Sequence, residues 1–281
     1  MTSGGPVEEL RSQARAHHSA GRLEDAEQVY RRILDIARGD PESRYMVGVL
    51  RLQQGRPAEA LQIFASLLNE APGSADIRTQ HGLALQMLGR GEEALAEFNR
   101  ALILRPDHIL GLLYRGNLLL EAGQWQAALE SYDRLLGIAP GYDEAWFRHG
   151  SALWLMDQFE EALASYRKAL AINPGRFGAA FNSGTTLLKL ERYDEALAAF
   201  ETAANLAPGH PYVLGAIAGA VSGICDFTRW NETREEVIEA VRRHSSVVAP
   251  LTFLPFCDDG ALRQACSEAF VADRVPQPGV P

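Results

Sequence analysis

Cysteine is scarce in this chain and basic charge is in deficit, and each shortage narrows what the protein can be. The three cysteines, Cys225, Cys257 and Cys266, form no CxxC pair and lie outside the region that repeats. Neither a zinc site nor a disulfide framework is expected from that spacing, and free thiols in a reducing compartment are. Lys and Arg number 27 against 36 Asp and Glu, a net charge of −9. Such a balance argues against nucleic acid or an anionic membrane as partner, and a local pair such as Arg242–Arg243 does not reverse it. Long hydrophobic runs are also missing. The stretch Pro211–Cys225 is free of charge, but it falls short of the ~20 residues of a membrane span and opens on proline. The N-terminal MTSGGPVEELRSQ has no basic start followed by an apolar core, so no signal peptide is expected. A cytoplasmic location follows as the expectation. No segment alternates strands and helices with Gly-rich turns, as a nucleotide-sugar fold requires. Gly215 and Gly219 have no strand before them and no Lys-Ser/Thr after, which excludes a phosphate loop and leaves them as helix-packing positions. Neither a metal nor a cofactor is expected.

What is present is a period. Alanine recurs at Ala26, Ala60, Ala94, Ala128, Ala162 and Ala196, every step 34 residues. An aromatic follows each by four residues, at Tyr30, Phe64, Phe98, Tyr132, Tyr166 and Phe200. Glycine recurs in the same step at Gly48, Gly82, Gly116, Gly150 and Gly184, and proline at Pro72, Pro106, Pro140, Pro174 and Pro208. Small residues let two antiparallel helices approach where they cross, the aromatic fills the space between them, and proline ends the second helix. Gly21, Gly55, Gly89 and Gly123 fall between the two helices, where a left-handed backbone helps the turn; Asp157 and Glu191 take that place later in the chain.

This order of small, small, aromatic and proline positions resembles the tetratricopeptide repeat family closely. The resemblance covers six repeats, 7–40, 41–74, 75–108, 109–142, 143–176 and 177–210. In the first, Ala14 replaces glycine and Arg38 replaces proline, as suits an end repeat that meets solvent. What the resemblance implies is an all-α fold, a right-handed α–α superhelix, with residues 211–225 as a capping helix and 226–281 as a helical, linker-like extension.

In the family the first helix of each repeat lines the concave side, and a protein or an extended peptide is the expected partner. Two residues before the glycine column stand Met46, Gln80, Tyr114, Arg148 and Asn182; one residue after it stand Val49, Leu83, Asn117, Ser151 and Thr185. Gln80, Tyr114, Asn117, Arg148, Ser151, Asn182 and Thr185 are therefore the candidate groove residues. Planar amide and guanidinium donors suit hydrogen bonding to a peptide backbone, and ordinary solvated side chains are the competing explanation. A carboxylate clamp is rejected, because Met46 and Val49 follow Arg11 and Arg15 where polar partners are needed. An asparagine ladder has one rung, Asn182. His81 and His149 precede glycines, where the family often has leucine, and read as partly buried packing residues.

Beyond His210 the period fades. Asn231 or Thr233 is expected to cap a helix from about Glu232 to Arg243, and Asp258 and Asp259 a last helix from Gly260 to about Ala272. The order Cys225-Asp226-Phe227, an amphipathic helix, Pro250-Leu251, Phe253-Leu254, Asp258-Asp259 and Ala261-Leu262 resembles the segment that joins the repeat arm to the catalytic domain in bacterial SPINDLY-type O-GlcNAc transferase-like proteins. That likeness spans roughly Gly223–Pro276 and implies relatives that are glycosyltransferases. Two functions stand open: a stand-alone adaptor, and the substrate-recognition arm of a glycosyltransferase working with a separate catalytic domain. An enzyme in its own right is poorly supported.

Overall fold

The computed structural model describes residues 5–224, 227–243 and 247–274, and among them there are only helices, turns and connecting segments. Residues Cys225 and Asp226, part of the tail likeness, lie outside this set. The chain divides into two compact units, Met1–Ala139 and Pro140–Pro281.

The first unit holds four helix pairs: α1 (Pro6–Ser19) with α2 (Leu23–Ile36), α3 (Pro41–Gln53) with α4 (Pro57–Glu70), α5 (Ala75–Met87) with α6 (Gly91–Leu104), and α7 (Ile109–Glu121) with α8 (Trp125–Ile138). The second holds two more, α9 (Asp143–Leu155) with α10 (Phe159–Ile172) and α11 (Phe177–Lys189) with α12 (Tyr193–Leu206). There follow α13 (Val213–Ile224), α14 (Phe227–Arg242), the short α15 (Pro250–Phe253) leading into a 3-10 turn, and α16 (Gly260–Arg274).

Local chemistry sets these boundaries. Prolines open α1, α3 and α4 at a position whose N–H has no helical partner anyway. Asp40 accepts a hydrogen bond from the Ser43 N–H at 2.9 Å, and His108 Nδ1 accepts one from Gly111 at the same distance. Each first helix ends in a left-handed residue that closes a paired hydrogen-bond cap. For α5, the Gly89 N–H reaches the Gln86 carbonyl at 2.9 Å and the Arg90 N–H reaches Leu85 at 2.9 Å. Asp157 and Glu191 make the same cap with φ of 58° and 57°, a conformation that costs a residue bearing a Cβ.

The small and aromatic columns meet inside each pair. All six alanines of the column have no exposed surface, and the six aromatics are buried. A methyl group added at Gly82 would stand 2.6 Å from Phe98 Cε1; at Gly48, Gly116, Gly150 and Gly184 the nearest ring atom lies 2.6–2.8 Å away. The glycine lets the ring of the partner helix rest on the helix backbone, and burying that ring contributes about 1.5–3 kcal/mol relative to exposure.

The tail departs from expectation at its first helix. Neither Asn231 nor Thr233 begins it: α14 starts at Phe227, and Thr233 is buried inside it. Tertiary packing explains the earlier start, because Trp230 stacks on Phe256 at 5.1 Å and needs a helical turn to hold it there. Asp259 does cap α16, its carboxylate accepting from Ala261 N–H at 2.9 Å and Leu262 N–H at 3.3 Å. Behind these helices Val237, Val241, Phe253, Phe256, Cys257 and Cys266 form one core with Ala218 of α13.

Candidate functional site

In the first unit the structure ties down more of the candidate residues than it leaves open. Gln80 is buried beside the Tyr45 hydroxyl, which burial pushes up to about 12 against the opposing effect of Gln80. It has no open face to offer a peptide. Tyr114 is half-buried with its ring tilted on Phe98 at 6.1 Å. Asn117 accepts a hydrogen bond from the Tyr132 hydroxyl at 2.8 Å, which fixes the amide and leaves its N–H groups to other uses.

In the second unit Arg148 is oriented by its own helix. Its Nε donates to Glu144 at 2.7 Å, its guanidinium carbon lies 5.6 Å from the Phe147 ring centre, and the side chain remains 41% exposed. Glu144 is shared with Arg176 at 2.6 Å. Arg176 also holds Asp143: burial raises that carboxyl, but hydrogen bonds from Asn173 and Arg176 outweigh it and leave it below its usual value. The Ser151 hydroxyl donates to the Phe147 carbonyl at 3.0 Å, and that of Thr185 to Phe181 at 3.1 Å. Burial raises the Tyr166 hydroxyl, while hydrogen bonds with Ser151 and Asn182 work against that shift.

Ser151, Asn182 and Thr185 come together around one cleft of about 290 Å³. Its remaining walls are Trp154, Leu155, Tyr166 and Phe181, none of which stands beside the glycine column two before or one after. A second cleft of about 440 Å³ shares Phe181 and Thr185 with the first and continues to Leu188, Phe200, Tyr212 and Phe270. The site is therefore more apolar than the polar column suggested.

One signal in the sequence could have shown how the groove residues are held. The column aromatic lies fifteen residues after the position that follows the glycine. Where that aromatic is tyrosine, at Tyr30, Tyr132 and Tyr166, the earlier residue is polar: Arg15, Asn117 and Ser151. Where it is phenylalanine, at Phe64, Phe98 and Phe200, the earlier residues are Val49, Leu83 and Thr185. The hydroxyl reaches that side chain in the two later pairs, at 2.8 Å for Tyr132 to Asn117 and 3.5 Å for Tyr166 to Ser151, whereas the Tyr30 hydroxyl is buried without a hydrogen-bond partner.

The two histidines sit among packing contacts. His149 Nδ1 lies 2.9 Å from the Ser165 hydroxyl and its ring meets Trp146 edge-on at 5.8 Å. Burial holds the His81 imidazole below its usual 6.5, and its Nδ1 is buried with no hydrogen-bond partner. No group of three or more His, Cys, Asp or Glu among the described residues could hold a metal. None of the described helices is long and apolar enough to cross a membrane.

Family models described as tetratricopeptide repeat match residues 10–41 and 79–143, 42–74, and 153–219. No curated protein matches the chain. Among solved structures, pilF of Pseudomonas aeruginosa is 17% identical, with a TM-score of 0.65 over 77% of this chain and 96% of that one. A tetratricopeptide repeat protein from Parabacteroides merdae is 17% identical, with a TM-score of 0.59 over 95% of this chain and 99% of that one. YrrB, described as a TPR protein with an unusual peptide-binding site, is 18% identical, with a TM-score of 0.55 over 73% of this chain and 97% of that one.

Proposed function

The chain belongs to the tetratricopeptide repeat family, a protein-interaction fold, and from that premise we propose that it is an adaptor that grips a segment of a partner protein on its first helices. The observation that carries this is the cleft of the second unit, where Ser151, Asn182 and Thr185 stand among Trp154, Leu155, Tyr166 and Phe181. Apolar walls with a few fixed polar groups are what a binding site for a peptide side chain and its backbone needs. In the first unit the corresponding contribution is assigned to Tyr114 and Asn117. The likeness in fold to YrrB supports a peptide as the ligand class.

A photo-reactive phenylalanine placed at Leu155 and another at the exposed Glu130 of α8 test the reading. After irradiation in a lysate of the source cells, the Leu155 probe should cross-link a discrete set of proteins that the Glu130 probe does not. Identical cross-links from both positions would remove the cleft as the binding surface.

The second reading, a recognition arm serving an O-GlcNAc transferase-like catalytic domain, is supported by the tail likeness, which falls largely in α14–α16. It predicts that a glycosyltransferase domain co-purifies with the chain and that sugar transfer to its targets falls when the cleft is altered. The adaptor reading is preferred because the tail has a role of its own in the chain: Tyr212 and Phe270 line the second cleft.

A further inference from the structure

The two clefts of the second unit share Phe181 and Thr185 in their walls, so they adjoin as two lobes of one region of the surface, here called the depression. The first lobe is walled by the repeat helices α9, α10 and α11. The second is walled on one side by α11 and on the other by chain that follows the repeats: Tyr212, the segment Val247–Ala249, Thr252 and Phe270. The tail is held in that position from several directions. The Tyr212 hydroxyl meets Asp273 at 2.6 Å, and the Val247 N–H donates to the Pro211 carbonyl at 2.8 Å. Gly215 lets this passage of the tail come close, for a methyl group there would lie 3.0 Å from the Val247 carbonyl oxygen.

The lining has a sharp chemical bias. Neither lobe contains an Asp, Glu, Lys, Arg or His, although charged residues make up 22% of the chain. A charged group entering such a depression would lose part of its water and find no counter-ion in the lining, which disfavours it. An uncharged apolar side chain loses nothing of the kind and gains dispersion contacts with half-buried aromatic rings. Electrostatic complementarity therefore selects among peptides, and the volumes of about 290 and 440 Å³ suit bulky side chains.

Resting on the adaptor reading above, we infer that this depression is a neutral anchor site for a partner-protein segment carrying uncharged aliphatic or aromatic side chains, and that the tail helices form its far wall and set its specificity. The tail thus acts as part of the binding surface. Asn182 supplies a polar contact in the first lobe, suited to the backbone of the bound segment.

The test uses the full chain, the neutral dye Nile red as reporter, and two capped nonapeptides on a Gly-Ser backbone. One carries Phe and Leu anchors; the other has Asp at both anchor positions. Nile red emission should rise on binding the chain, and the Phe/Leu peptide should displace it at a concentration at least tenfold below that of the Asp peptide. Leu155→Glu, at a site 39% exposed, and Phe270→Ala should each weaken the Phe/Leu peptide by roughly tenfold, as loss of an anchoring contact does. Helical content and melting temperature, measured alongside, show that each variant is folded; Thr252→Glu replaces Phe270→Ala if that variant is not. Equal displacement by the Asp peptide would overturn the inference. So would full retention of Phe/Leu peptide binding by the folded tail variants, or displacement by a neutral detergent but by neither peptide, which would assign the site to an acyl chain. Cross-linked partners captured by wild type and equally by Phe270→Ala would overturn this inference while leaving the adaptor reading intact; no capture by wild type would overturn the adaptor reading itself.

Discussion

Gly184 lies directly beneath the ring of Phe200, so close that a methyl group on it would stand 2.6 Å from Cε1. The same relationship joins Gly116 to Tyr132, and in both pairs the ring is buried. An aromatic fixed in a packed interior cannot retreat without opening space elsewhere.

Gly184→Ala and Gly116→Ala should each destabilise the unit that contains them by about 1–3 kcal/mol through overpacking. Gly137, in α8, has nothing within 4 Å of an added methyl. There Gly137→Ala should stabilise by about 0.5–1 kcal/mol through helix propensity. Urea unfolding of the three variants checks both signs, and a stabilising Gly184→Ala would mean the ring is free to move.

Glu191 occupies the left-handed turn position that is glycine at Gly21, Gly55, Gly89 and Gly123, with φ of 57° against 71–74° for the glycines. Glu191→Gly should raise stability by up to ~1 kcal/mol, since the left-handed conformation costs an L residue about 1–2 kcal/mol and glycine's own chain entropy takes part of that back. Asp157→Gly should gain less, because aspartate tolerates this conformation better. Melting curves of both variants against wild type are the measurement.

Burial depresses the pKa of His81 in the folded protein below its usual 6.5. The unfolded chain therefore binds the proton first as pH falls, so the contribution of His81 is fully present above about pH 6.5 and is lost progressively below it. His81→Leu should flatten stability between pH 6.5 and 5 and raise it most at the acid end. A variant whose stability follows pH as steeply as wild type would assign the acid sensitivity to other groups.

Changes at the proposed groove side chains should be graded. In the second unit, Asn182→Ala should weaken partner capture by the ~0.5–1.5 kcal/mol of one hydrogen bond, a few-fold effect, and Arg148→Ala with Asn182→Ala should weaken it further. Tyr114→Ala and Asn117→Ala probe the first unit in the same way. Glu130→Ala is the control with no expected effect. Capture undiminished in the Arg148/Asn182 double variant would move binding away from these side chains.

Within the repeats, helix number, helix length and turn position are all legible in the order of residues alone. Each is decided within one period of 34 residues, by a proline, a left-handed turn residue and a glycine facing an aromatic sixteen residues on. The pairing of tyrosine with a polar residue fifteen positions earlier is legible too, at Tyr132 with Asn117 and Tyr166 with Ser151, for the same reason of short range. Burial of Gln80 against Tyr45 depends on two neighbouring helix pairs and cannot be read from its column. Least legible of all is the pair of adjoining clefts. Trp154 lines one and Phe270, on a tail that has no period, the other, with Phe181 of a repeat helix in the wall of both. Repetition determines what each pair of helices looks like because its contacts are local. Where the aperiodic tail comes to rest was decided by long-range packing, with Trp230 reaching both Phe256 and the repeat core around Phe200, and by the close approach of Val247 at Gly215, and with it the chemistry of the site.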